Sequence, residues 1–190
     1  KLNDQVIQLW ATVLIAIPQS RLFLKNKQLN SLEIQQMIFR KFNANGIDED
    51  RIFLEGFDSR EKYLNSYNRI DIALYPFPFT GGTTTIEGLW MGVPLLTLSG
   101  HNMVSNQGVS ILINAGLSDW VAQDKKDYLA KAISFSTDIK RLNALRGGLR
   151  KQIMESPLFN AKKFADHFKN ALWDFWNQYE NNASSETQRK

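Results

Sequence analysis

The sequence predicts an α/β fold, a parallel sheet flanked by helices. Short apolar runs at 21–25, 51–55, 70–75 and 94–98 alternate with stretches whose apolar residues recur at helical spacing. Strands separated by helices pair in parallel through right-handed crossovers. The 190 residues, 43% of them hydrophobic, suit one domain with a sizeable core.

Val6, Leu9, Trp10, Val13, Leu14 and Ile17 fall on one helical face, and Pro18 stops that helix. Residues 21–25 read as the first strand. Asn30 or Ser31 caps a helix to about residue 43, with Ile34, Met37 and Ile38 inward and Gly46 near its exit. Residues 51–55 form the second strand, and Asp58 or Ser59 caps a helix through Tyr67. The third strand is 70–75 and the fourth 94–98, with a helix ending near Met91 between them.

Beyond Gly100, residues 104–115 read as a helix and Trp120-Val121-Ala122 as a short apolar run. Helices follow near 127–135 and 138–153, the second capped by Asp138. Residues 156–160 break the pattern. Asn160 then caps a last helix with Phe164, Phe168, Leu172, Phe175, Trp176 and Tyr179 on one stripe, as a core face would carry. The expected organisation is one domain over 1–180, alternating over 1–100 and mostly helical over 101–180. A polar, disordered tail is expected at 181–190.

The chain is organised around residues 75–94, where the third strand opens into Pro76, Pro78, Gly81, Gly82, Thr83, Thr84 and Thr85 before a helix begins. Prolines stiffen an extended exit from a strand, and glycines admit close approach of a bulky group. Threonines at a helix start meet unpaired N–H groups and the positive dipole end, which favour an anion. That is phosphate-binding chemistry, although no Gly-Lys-Ser/Thr follows to make a Walker loop. Thr84 and Glu87 equally have the spacing of a capping box. The loop follows the carboxyl end of a strand, the edge where ligands bind in such sheets.

Composition excludes several alternatives. There are no cysteines, hence no disulfides, and no apolar run reaches membrane length. The net charge of +4 fits an anionic ligand, and no aromatic–basic interleaving points to nucleic acid. His101 and His167 are the only histidines, and no carboxylate cluster has metal-ligand spacing, so no metal site is expected.

The run 71–100, with Pro-Phe-Pro-Phe-Thr-Gly-Gly-Thr-Thr-Thr, Glu-Gly-Leu-Trp-Met-Gly-Val-Pro and Leu-Thr-Leu-Ser-Gly, resembles the C-terminal catalytic lobe of the O-linked N-acetylglucosamine transferases, the bacterial members most. Lys1-Leu2-Asn3-Asp4, Trp10-Ala11, Ile17-Pro18-Gln19-Ser20-Arg21-Leu22 and Ser156-Pro157-Leu158-Phe159-Asn160 match in order, so the resemblance covers nearly the whole chain. It implies a Rossmann-like sheet, the C-terminal half of a GT-B glycosyltransferase. It also implies a UDP-sugar donor, an acceptor protein and no cofactor. The N-terminal catalytic lobe and upstream TPR repeats of that family lie outside this sequence. A cytoplasmic enzyme without membrane or nucleic-acid partners is expected. The closing helix of the resembled fold packs toward the other lobe, and without that lobe some of its aromatics are expected to be exposed or shared in a dimer contact.

Residue by residue, the resemblance makes Lys1 the catalytic lysine at the diphosphate. Thr83 and Thr84 hold the diphosphate with Thr85 beside them, and Gly82 contributes backbone alone. Glu87 takes the ribose hydroxyls. Arg60 lies near the uridine, Phe57 and Asp58 in the loop that reads the base, and Tyr63 in a place to stack. Departures are Tyr75 where related sequences often carry aspartate, Asn106 in place of an arginine, and Ser66 in place of a basic residue. The expected activity is transfer of N-acetylglucosamine from UDP-N-acetylglucosamine to Ser or Thr, with the isolated chain inactive. The alternatives are another GT-B chemistry, such as a different sugar or acceptor or a sugar-nucleotide epimerase, and a non-catalytic binding module.

Overall fold

The computed structural model of the chain describes residues 2–187, with the backbone alone for 182–187. Helix α1 (Asp4–Ala16) starts at Asn3, whose side chain accepts the Val6 N–H, and buries Val6, Ile7, Leu9, Trp10, Ala11, Val13 and Leu14. Its far end is closed by a distant side chain. Arg51 Nη2 donates to the carbonyls of Leu14 at 2.7 Å, Ile17 at 3.1 Å and Ser20 at 2.9 Å. These include carbonyls that a helix end leaves without partners.

Strand β1 (Leu22–Lys25) pairs in parallel with β2 (Ile52–Glu55), Leu22 opposite Ile52 and Lys25 opposite Glu55. Between them runs α2 (Leu32–Asn43), capped by Ser31. Helix α3 (Arg60–Ser66), capped by Ser59, follows β2. A second parallel ladder joins β3 (Ala73–Leu74), β4 (Leu95–Leu98) and β5 (Val121–Ala122) in that order. Helix α4 (Thr83–Trp90) lies between β3 and β4, and α5 (Gln107–Asn114) between β4 and β5. Helices α6 (Lys125–Thr137), α7 (Ile139–Met154) and α8 (Ala161–Thr187) complete the chain. The α/β class and the parallel pairing are as expected from the alternation of elements.

The core is shared by both ladders and the helices on them, with Phe42, Ile47, Leu89, Leu95, Leu96, Leu112, Tyr128, Leu149 and Ile153 all nearly inaccessible. The indole N–H of Trp10 donates to the Tyr128 hydroxyl at 3.3 Å, tying α1 to α6 inside the core. Burial raises the Tyr128 phenol far above its ordinary value.

Several expectations are corrected. The single run of parallel strands is realised as two ladders among the described residues. Strand β3 is two residues long where 70–75 was expected. A 3₁₀ turn at Tyr67–Arg69 leads into it, and Pro76 beyond it has no N–H to donate. Helix α5 starts at Gln107, not 104. Asn102 Oδ1 accepts the Ser105 N–H and Ser105 Oγ accepts the Asn102 N–H, which holds the preceding residues in a side-chain-bonded turn.

Helix α8 continues through Thr187, past the boundary at 180 that polar composition suggested. No glycine or proline interrupts 181–187, and extending an existing helix is far easier than starting one. Its aromatic stripe is exposed, Phe164, Phe168, Leu172, Phe175, Trp176 and Tyr179 included. Among the described residues nothing covers that stripe as a core would. No described helix is long and apolar enough to cross a membrane.

Candidate functional site

The chain leaves β3 through Tyr75 and enters α4 at Gly82, its N-cap, which has no side-chain cap. The capping box is therefore not formed: Thr84 is already inside the helix, and Glu87 turns elsewhere. Thr83 and Thr84 are exposed on the first turn, where helix N–H groups open toward an anion. Thr85, expected beside them, differs from its two neighbours in exposure. It is fully buried, and its Oγ1 has no hydrogen-bond partner among the described residues.

Beneath this turn lies the Tyr75 ring. A Cβ at Gly81 would stand 2.1 Å from Tyr75 Cε1, so only glycine lets the ring in. The Tyr75 hydroxyl donates to Thr84 Oγ1 at 3.2 Å. With its oxygen accepting that bond, Thr84 keeps its own proton for a ligand. Burial pushes the Tyr75 phenol up to about 12, so it stays a donor at neutral pH.

Glu87, one turn further along α4, faces α3. Its side chain is 11% exposed. Oε1 accepts from Arg60 Nη1 at 2.6 Å, and Oε2 accepts the Tyr63 hydroxyl at 2.9 Å. Tyr63 and Tyr67 also share a hydrogen bond at 2.9 Å, and their rings meet edge-on. Burial pushes Tyr63 up to about 12 and Tyr67 well above its ordinary value, so both hold their protons. The carboxylate is thus oriented, a prerequisite for accepting from two vicinal hydroxyls.

Beside this pair opens a cleft of about 370 Å³ lined by Lys25, Asn26, Lys27, Gly56, Phe57, Asp58, Arg60 and Tyr63. Lys25 Nζ lies 2.9 Å from Glu55 Oε2 and 2.5 Å from Asp58 Oδ2, and Arg69 reaches the other Glu55 oxygen. Burial works to lower the Lys25 ammonium, but its bonds to Asp58 and Glu55 outweigh that and hold it above its ordinary value. Glu55 is held low by hydrogen bonds from Arg69 and Lys25, and Asp58 by its bond from Lys25. The Phe57 N–H is engaged by Asn30 Oδ1 at 3.0 Å, and Gly56 makes room, since a Cβ there would overlap Asn30. Phe57 itself projects from the rim, 70% exposed.

The structure therefore brings Phe57, Asp58, Arg60 and Tyr63 around one cleft and joins Glu87 to it. Gly82, Thr83 and Thr84 form the adjoining helix start. Lys1 lies outside the described residues. The sequence alone does not single out Tyr67, Lys25 or Glu55, and it marks Tyr75 only as a departure. Spacing offered a clue for Tyr67, four residues after Tyr63 on one helical face. Nothing local announces the Lys25 cluster, whose partners come from another strand and loop. Among the described residues no group of three or more His, Cys, Asp or Glu is placed to hold a metal.

The model of glycosyl transferase family 41 matches residues 1–168. Probable UDP-N-acetylglucosamine–peptide N-acetylglucosaminyltransferases SPINDLY from Hordeum vulgare and Arabidopsis thaliana are each 33% identical over 180 residues, 94% of this chain. The matched region is 19% and 20% of those proteins. The Caenorhabditis elegans UDP-N-acetylglucosamine–peptide N-acetylglucosaminyltransferase is 24% identical over 95% of the chain. Among solved structures, a mutant of the Thermobaculum terrenum O-GlcNAc transferase superposes with a TM-score of 0.84 at 32% identity, covering 90% of this chain and 33% of that one. The chain thus spans about a fifth of the curated relatives it matches.

Proposed function

The chain belongs to glycosyl transferase family 41, and from that premise we propose that it is the donor-binding lobe of an enzyme transferring N-acetylglucosamine from UDP-N-acetylglucosamine to Ser or Thr of acceptor proteins. One observation carries the reading. The start of α4 presents exposed Thr83 and Thr84, and Glu87 on the same helix is bonded to Arg60 and Tyr63, which line the cleft. A nucleoside diphosphate needs that pairing, donors for the phosphates and an oriented carboxylate for the ribose.

In the proposed reaction the acceptor hydroxyl oxygen attacks the anomeric carbon of the sugar. The bond from that carbon to the diphosphate oxygen breaks, and UDP departs with the electron pair. Thr83, Thr84 and the first N–H groups of α4 stabilise the growing charge on the diphosphate. Lys1 supplies a further positive charge in this reading. The UDP-sugar is the donor substrate and no additional cofactor takes part. The acceptor hydroxyl's proton is taken by a group of the N-terminal lobe, which with upstream TPR repeats partners this lobe in a cytoplasmic enzyme. The isolated lobe binds UDP weakly and transfers nothing.

Titration of the intact protein with UDP, UDP-N-acetylglucosamine, UDP-glucose and, as a purine control, GDP tests this. Thr84→Ala and Glu87→Ala are each expected to weaken UDP binding about tenfold, the scale of hydrogen bonds to charged groups. Unchanged binding in both variants defeats the site assignment. Preference for another nucleotide or sugar moves the enzyme to a different donor within the same site.

A further inference from the structure

Glu87 is satisfied before any nucleotide arrives, and its two partners differ in kind. Tyr63 is half-buried, packed edge-on against Tyr67, and fixed on Oε2. Arg60 opens α3, and its side chain is 70% exposed although it holds Oε1 at 2.6 Å. A carboxylate as enclosed as Glu87 needs a counter-charge. An exposed guanidinium, by contrast, is released at little cost.

We propose that Arg60 is a displaceable counter-ion of Glu87. It neutralises and orients the carboxylate in the empty site, yields Oε1 to the ribose hydroxyls of an incoming nucleotide, and turns to the nucleotide's phosphates. The proposal rests on the UDP-sugar reading above. Tyr63 stays on Oε2 throughout, so Glu87 does not lose its direction during the exchange. Arg60 lines the same cleft as Tyr63, so the guanidinium released from Glu87 is already at the wall of that cleft. The exchange makes ribose recognition depend on phosphate. A nucleoside must displace Arg60 with nothing to offer it, whereas a nucleoside diphosphate gives the guanidinium a new anion.

Calorimetric titration of the intact protein with uridine and with UDP tests this, using wild type, Arg60→Ala, Glu87→Gln and the double variant. Arg60→Ala is expected to bind uridine about two- to fivefold more tightly, the scale of an exposed ion pair. The advantage of UDP over uridine shrinks in the same variant. The uridine gain disappears in the Glu87→Gln background, where there is no ion pair to displace. Uridine affinity that stays level or falls in Arg60→Ala overturns the exchange, as does a gain that persists with Glu87→Gln. A wild-type protein that binds neither ligand removes the UDP-sugar reading itself. One that binds both while Arg60→Ala gains nothing removes only the exchange.

Discussion

The Tyr75 hydroxyl donates to Thr84 Oγ1 at 3.2 Å, so the threonine at the mouth of α4 has its oxygen occupied and its proton unclaimed by that bond. A carboxylate in place of Tyr75 would reverse that bond. An ionised aspartate is acceptor-only and would draw that proton inward. Tyr75→Phe is therefore expected to weaken UDP binding about threefold to tenfold, the worth of one neutral hydrogen bond, and to leave uridine binding unchanged. Parallel titrations check it. Equal loss for both ligands assigns Tyr75 to packing instead.

Arg51 closes the end of α1 from another element. Arg51→Met keeps much of the aliphatic bulk and takes the Arg51 donor from the Leu14 and Ser20 carbonyls, while the Ile17 carbonyl keeps the Ser20 N–H and hydroxyl. The expected loss is on the order of 2 kcal/mol of stability, seen in urea unfolding as a lower midpoint at unchanged slope.

The Lys25 cluster gives stability a pH signature. Glu55 and Asp58 titrate below their ordinary values of 4.5 and 3.8. Depressed carboxylates contribute stability above those values and lose it as pH falls through the lower folded ones. Lys25 titrates above 10.5, so its contribution is complete below that pH and fades as pH rises through the folded value. The Tm deficit of Asp58→Asn is expected to be constant near neutrality and to close as pH falls below 3.8. A deficit that persists in acid assigns the effect to shape, not charge.

Thr97 in β4 is fully buried, and its Oγ1 has no partner among the described residues. Thr97→Val matches its shape and removes the unpaired hydroxyl. Stability is expected to rise by about 1 kcal/mol, read as a higher Tm.

What the sequence revealed was what neighbouring residues decide. Ser31, Ser59 and Asp138 cap helices as their positions promised. The turn before α4 was legible because its prolines, glycines and threonines lie within a few residues of one another. The ring of partners around Glu87 was not, because Arg60 and Tyr63 reach it from another helix, 27 and 24 residues away. The Lys25 seat joins one strand to another strand and its following loop, and no local spacing encodes it. For α8 the period correctly marked an apolar face. Periodicity names the face and says nothing about what covers it, and here the face is open.

The bond from Trp10 to Tyr128 spans 118 positions of the chain. During synthesis α1 is made before α6, and the face that α6 covers stays bare until α6 follows. Helix α1 therefore spends that interval without the α6 part of its native cover, an opening for contacts with other chains.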